Sequence, residues 1–161
     1  ENELQEQTKQ YLEDKTKYDF FVTESKVIWD KCVNSYNKIS EVLDAILEGQ
    51  YGLTQTLTQS LYSDYDNIIM NHLDNISPIE NIKSIQSFKD NARALLSMLK
   101  GPVVYDLEQI ENAILNKNYQ QKNEYVDKLF KKDLPKVDDY FTLIKTLRSD
   151  AIEQGKYHYY R

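Results

Sequence analysis

Two histidines and one cysteine are the side chains of this 161-residue chain best suited to hold a metal or attack a substrate. A metal site needs several such groups converging on one point, and a cysteine nucleophile needs a cationic neighbourhood and a base. His72 and His158 lie far apart, and neither has a second ligand at a metal-binding spacing. Both read as surface or partly buried histidines. Cys32 falls on an apolar helical row near Val33 and Tyr36, with Lys26 and Lys31 directed to other faces. It reads as a small buried hydrophobe. Carboxylates are abundant, but none forms an inward Glu-x-x-His set, and neither a glycine-rich phosphate loop nor a nucleophile elbow occurs. Asn75-Ile76-Ser77 has the pattern of a glycosylation acceptor, yet Pro78 follows directly and the serine is wanted as a helix cap. The expectation is a protein without catalytic, metal or cofactor residues.

Tyrosine carries a different chemistry. It offers large, rigid contact area at low entropic cost, and the chain has 13. Tyr51, Tyr62, Tyr65, Tyr119 and the tail "KYHYYR" lie off the apolar rows. Tyr51, Tyr62 and Tyr65 flank the first inter-helix joint and form one candidate partner-binding surface. The compositional alternative is an A+T-rich genome, which enriches Tyr, Asn, Ile and Lys together. Lys128, Lys131, Lys132 and Lys136 group around Pro135 and form the second candidate, able to steer an acidic partner. The plainer reading of that cluster is a solvated face at a helix end.

Helices must position these groups. Leu4, Tyr11, Tyr18, Ser25, Cys32, Ile39 and Ile46 recur every seven residues. Phe21, Ile28, Ser35 and Val42 make a neighbouring row, and Val22, Trp29, Tyr36 and Leu43 another. Rows spaced by seven and offset by three or four form one stripe along a helix. The stripe is wide from Phe20 to Leu47, which predicts core positions for Trp29 and Cys32. It is thin before Tyr18, so residues 1–16 are expected to form a polar stalk-like extension and residues 17–161 a single bundle domain. Gly49 and Gly52 mark the stop. A second helix follows from about Thr54, with Leu57, Leu61, Ile68 and Ile69 inward. "SPIE" predicts a third helix capped by Ser77, with Pro78 first and Glu80 closing a capping box. "KGP" at 100–102 is expected to end it, with Gly101 past the C-cap. A fourth helix runs on Val103, Leu107 and Ile110, with a break at "NKN" after Leu115. Pro135 disfavours helix at Leu134 and implies another break. The last helix is expected to close at Gly155. The fold class is all-α: an antiparallel bundle of five to six helices with a long first helix.

Composition agrees. Only 4 glycines and 3 prolines are too few turn residues for a sandwich or barrel. A net charge of −6 disfavours nonspecific binding to nucleic acid or anionic membrane. A lone cysteine excludes an internal disulfide, and no 18-residue apolar run exists to span a bilayer. Glu1 is read as the start of a trimmed fragment, with any tether or export signal upstream.

The stretch "KTKYDFF…IWDKCVNSYNKI", ending with Cys32, Tyr36, Asn37 and Ile39, resembles the first long helix of complement-regulator-acquiring surface lipoproteins of Borrelia. "TQTLTQSLYSDYDN" at 54–67 is similar to part of the helical domain of borrelial fibronectin-binding lipoproteins. The resemblance implies a helical domain on the bacterial outer surface, hung from a lipidated cysteine upstream of Glu1. Its partner would be a host serum protein, complement factor H in the first place. A direct inhibitor of a classical-pathway complement protease and a fibronectin binder are the alternatives in the same location. An intracellular helical scaffold or effector is the alternative from another class. The family supplies no ligand-contact motif that falls on this sequence.

Overall fold

Helix α1, Asn2–Leu47, is one unbroken rod. The structure is a computed structural model that describes residues 2–160. Tyr18, Ser25, Cys32, Ile39 and Ile46 are buried along the seven-residue row, joined by Phe21, Ile28 and Leu43. The row is uncovered towards the N-terminus: Leu4 is 68% and Tyr11 43% exposed. Every residue from Asn2 to Gln10 is exposed, although all are helical. Gly49, at φ 87°, ends the rod. Its N–H donates to the Ile46 carbonyl and that of Gln50 to Ala45, the paired bonds of a glycine-terminated helix.

Helix α2, Thr54–Asn71, runs back along α1. Lys38 Nζ donates to Asp64 at 2.7 Å and to Ser60 at 2.9 Å, and Ser35 Oγ donates to Asp64 at 2.9 Å. Further along, the His72 ring nitrogen is hydrogen-bonded to Glu24. A single 3₁₀ turn, Leu73–Asn75, then leads out of the rod.

The expected cap at Ser77 does not form. Residues 76–82 are a loop, and helix α3, Lys83–Met98, starts later. Ser77, Pro78 and Glu80 are exposed, while Ile76, Ile79 and Ile82 are buried. Burial of three isoleucines holds the loop on the core, and Lys89 Nζ donates to the Ile76 carbonyl at 2.7 Å. That apolar anchorage replaces the side-chain cap.

Two further expected breaks are absent. Leu99–Val103 is a π-helical turn that joins α3 directly to α4, Val104–Leu115. Leu129–Asp133 is a second, joining α5, Tyr119–Lys128, to α6, Leu134–Tyr159. A π turn widens the backbone ring by one residue, which relieves the clash between a proline ring and the carbonyl before it. Pro102 therefore sits inside the first wide turn, and Pro135 in the first turn of α6 just past the second. Gly101 takes no left-handed conformation, so it caps nothing. Asn116–Asn118 is a true break: Lys117 adopts φ 56°, and Asn118 Oδ1 accepts from the Gln121 N–H at 3.2 Å. Among the described residues, the five to six helices expected are thus four rods: α1, α2, α3–α4 and α5–α6.

The rods alternate in direction. On α6, Ile152, Arg148 and Phe141 meet Tyr18, Ser25 and Tyr36 of α1 in reverse order. On α4, Glu111 and Glu108 meet Thr54 and Thr58 of α2 likewise. Phe21 and Phe88 cross edge to face at 5.4 Å within the shared core. The result is an up-down-up-down helical bundle. Among the described residues, no helix is long and apolar enough to cross a membrane.

Candidate functional site

The two surfaces expected from the sequence are rearranged by the fold. Tyr62 and Tyr65 come together on the flank of α2, where Lys100 of the first π turn crosses to them. Its ammonium lies 3.6 Å from the Tyr65 ring centroid and 4.7 Å from that of Tyr62. Both separations are within cation–π range. Tyr62 is 50% exposed, and Tyr65 is half-buried against the core. Tyr51 lies in the loop before α2, 41% exposed. Eight helical residues separate Thr54 from Tyr62, a rise of about 12 Å, so Tyr51 is not part of this patch. Lys100 is the member that sequence reasoning missed. "KGP" reads as a terminator, and only its conversion into a π turn brings the lysine to α2.

The lysine group divides in the same way. Lys128 points inward: its Nζ donates to Asp106 Oδ1 at 2.7 Å and to Asp133 Oδ2 at 2.8 Å. Lys131 pairs along its helix with Asp127 at 3.4 Å. Lys132 and Lys136 are exposed. The second candidate surface is therefore carried by Lys131, Lys132 and Lys136, with Lys128 committed to a buried network.

That network lies where the two π turns pack together. Asp106 is fully buried and Asp133 nearly so. Burial first, then hydrogen bonding with Asp133, pushes the Asp106 carboxyl up to about 7, against the pull of Lys128. Burial opposes ionisation of Asp133 too, but its bonds with Asp106 and Lys128 outweigh this and hold it below the usual carboxylate range. No donor among the described residues reaches the buried Asp106 Oδ2, so the bond with Asp133 forms only when a proton lies between the two carboxylates. Two buried carboxylates around one ammonium leave one negative charge in excess, so protonation of Asp106 neutralises the group. Asp106 was legible as an anomaly. It stands three residues after Val103 and four before Ile110, in phase with the buried row. Asp133 was not legible, because a Lys128–Asp133 pair meets only across a wide turn.

Cys32 is buried as expected, and its thiol is pushed up to about 12 by burial and then by Asp64, which keeps it protonated. His72 is half-buried against Glu24. Trp29 packs on the core at its edge rather than inside it. It is half-buried, edge to face with Phe141 at 5.4 Å, and exposes part of its ring in the α1–α6 seam.

The tail tyrosines are mostly engaged. Tyr159 is buried, and Tyr11 Oη donates to its carbonyl at 3.4 Å. Tyr160 Oη donates to Asp19 at 2.5 Å, and that bond, with burial second, pushes the phenol up to about 12. Tyr119 and Tyr157 are each 61% exposed. Among the described residues, no group of three or more His, Cys, Asp or Glu side chains is placed to hold a metal ion. No family model, curated protein or solved structure matches the chain.

Proposed function

We propose that this bundle is the outward-facing domain of a bacterial surface lipoprotein that captures a host serum protein, complement factor H in the first place. Capture is by contact on the bundle exterior, without chemistry on the partner. The observation that carries the reading is the Tyr62–Tyr65–Lys100 patch. An exposed tyrosine, Tyr62, and a half-buried one packed on the core, Tyr65, are bridged by one cation on the flank of a rod. Rigid aromatic bodies with polar tips are the groups that dominate protein–protein binding energy. The resemblance of residues 15–39 to complement-regulator-acquiring lipoproteins supplies the partner and the location. The exposed helical residues 2–10 suit a spacer between a lipid anchor upstream and the bundle.

Immobilised chain incubated with human serum is expected to retain factor H as the principal specific protein, identified by mass spectrometry. Retention of no serum protein at micromolar bait contradicts the reading. Inhibition of classical-pathway haemolysis that persists in factor-H-depleted serum replaces it with direct protease inhibition.

A further inference from the structure

The α1–α6 seam holds a guanidinium that is in no ion pair among the described residues. Arg148 is half-buried. Its Nε–H donates to Ser25 Oγ at 2.7 Å and an Nη2–H donates to the Val22 carbonyl at 3.0 Å. Both acceptors are neutral. Asp30 is near enough for its charge to act on Arg148, but its carboxylate is engaged by Lys26 at 2.7 Å. Among the described residues, no carboxylate lies within ion-pair distance of Arg148 or of Lys145, one turn earlier on α6. Burial accordingly holds the guanidinium below its ordinary value. Drawing a charge partly out of water without a partner is unfavourable, and an anion from outside would offset the cost.

The surroundings define what that anion is attached to. Arg148 and Lys145 share a cleft of about 270 Å³ with Lys26 and Trp29. Trp29 also walls an adjoining cleft of about 370 Å³, with Tyr36 and Phe141. One half of the seam is cationic and the other is largely aromatic, with the indole belonging to both. The two bonds to Ser25 and Val22 fix the inner edge of the guanidinium and leave Nη1 and the second Nη2–H unbonded. A planar fork of this kind matches a carboxylate. Asp138, in the aromatic cleft, would repel a second carboxylate and so sets the direction of binding. A free inorganic anion would fill only the cationic half.

We propose that the α1–α6 seam docks a partner polypeptide segment in which a carboxylate side chain adjoins a large apolar one. The carboxylate meets Arg148 and Lys145, and the apolar side chain lies on Trp29 and Phe141. The argument for this occupant is charge complementarity: an acidic anchor finds an uncompensated cationic pocket on a chain whose overall charge is −6. The proposal rests on the reading of the chain as a protein-binding bundle, and it assigns the partner a second contact surface.

The single tryptophan gives a single indole N–H resonance, so ¹⁵N NMR reads the seam directly. The probes are N-acetyl-Phe-Glu-amide, N-acetyl-Phe-Gln-amide and sodium sulfate. The Phe-Glu probe is expected to shift the indole signal saturably and to bind about tenfold more tightly than the Phe-Gln probe. Lys145→Gln, on an exposed residue, should weaken the Phe-Glu probe several-fold and leave the Phe-Gln probe unchanged. Arg148→Gln should abolish the difference between the two peptides. If that variant loses its helical circular dichroism, Lys145→Gln decides alone. No saturable shift with the Phe-Glu probe overturns the proposal, and so does sulfate binding as tightly as that probe. Serum capture that persists in a chain that binds no probe removes the seam and spares the host-protein reading. Probe binding without serum capture removes that reading and spares the seam.

Discussion

Replacing Lys128 by methionine is expected to cost about 2–3 kcal/mol of stability at pH 8, less than for a fully buried pair because the lysine side chain is 35% exposed and water screens the stranded charge. Among the described residues, Lys128 is the only cation bonded to Asp106 and Asp133, at 2.7 and 2.8 Å. Without it, two buried carboxylates face each other where the π turns meet. The loss should shrink at pH 5, because protons can replace the missing cation. Linkage fixes the sign in the parent chain as well. The folded-state value of Asp106 is raised from 3.8 to about 7. Between those values the folded state binds a proton that the unfolded state has released, so this group's contribution is present below pH 4 and lost as pH rises to about 7. Asp133, held low, acts in the opposite sense, its contribution being lost as pH falls below the ordinary carboxylate range. Asp106→Asn should therefore flatten the pH dependence above pH 4, and in that background Lys128→Met should cost much less. Urea denaturation at pH 5 and pH 8 measures all four chains. A Lys128→Met penalty under about 1 kcal/mol, or one that does not change with pH, contradicts the buried network.

Gly155→Ala is expected to destabilise the bundle by about 1–3 kcal/mol, although alanine is the better helix former by about 1 kcal/mol. Gly155 lies inside α6 rather than at its end, since the helix runs on to Tyr159. A Cβ there would stand 1.8 Å from Cε1 and 2.1 Å from Cδ1 of Tyr18. The ring is poorly placed to yield. Tyr18 is 3% exposed, its hydroxyl donates to the Ile152 carbonyl at 2.8 Å, and its ring touches that of Tyr159. The absent side chain is what lets α1 and α6 approach closely. In a Tyr18→Ala background, which removes the obstacle, the same substitution should become neutral or stabilising. Thermal unfolding of the two single variants and the double variant closes the cycle. A Gly155→Ala chain more stable than its parent contradicts the close crossing.

Seven-residue spacing made the rods legible. Tyr18, Ser25, Cys32, Ile39 and Ile46 are buried as that spacing requires, even where the residue is a serine. Burial follows phase rather than residue type. Where the phase shifts, the reading fails. The π turn at Leu129–Asp133 adds one residue to the ring, which puts Asp133 inside and leaves Phe130 48% exposed. Gly101, Pro102 and Pro135 read as stops because proline is costly in an α-helical ring, and nothing in local composition announces the wider ring that tolerates it. Ser77-Pro78 has the chemistry of a cap, but non-local burial of Ile76, Ile79 and Ile82 decides where α3 begins. The placement of the candidate residues was not legible in their spacing. Lys100 joins Tyr62 and Tyr65 across a turn, and Lys128 faces inward, groupings that sequence spacing does not show.

Affinity for purified factor H, measured by surface plasmon resonance on the folded chain and on Tyr62→Ala/Tyr65→Ala/Lys100→Ala, tests the central claim most directly. The parent chain is expected to bind at micromolar concentration or tighter. The triple variant, with its helical circular dichroism intact, should bind at least about tenfold more weakly, as loss of aromatic anchors implies. A parent chain that does not bind, or a triple variant that binds as tightly, would contradict a bundle that works through this outer face.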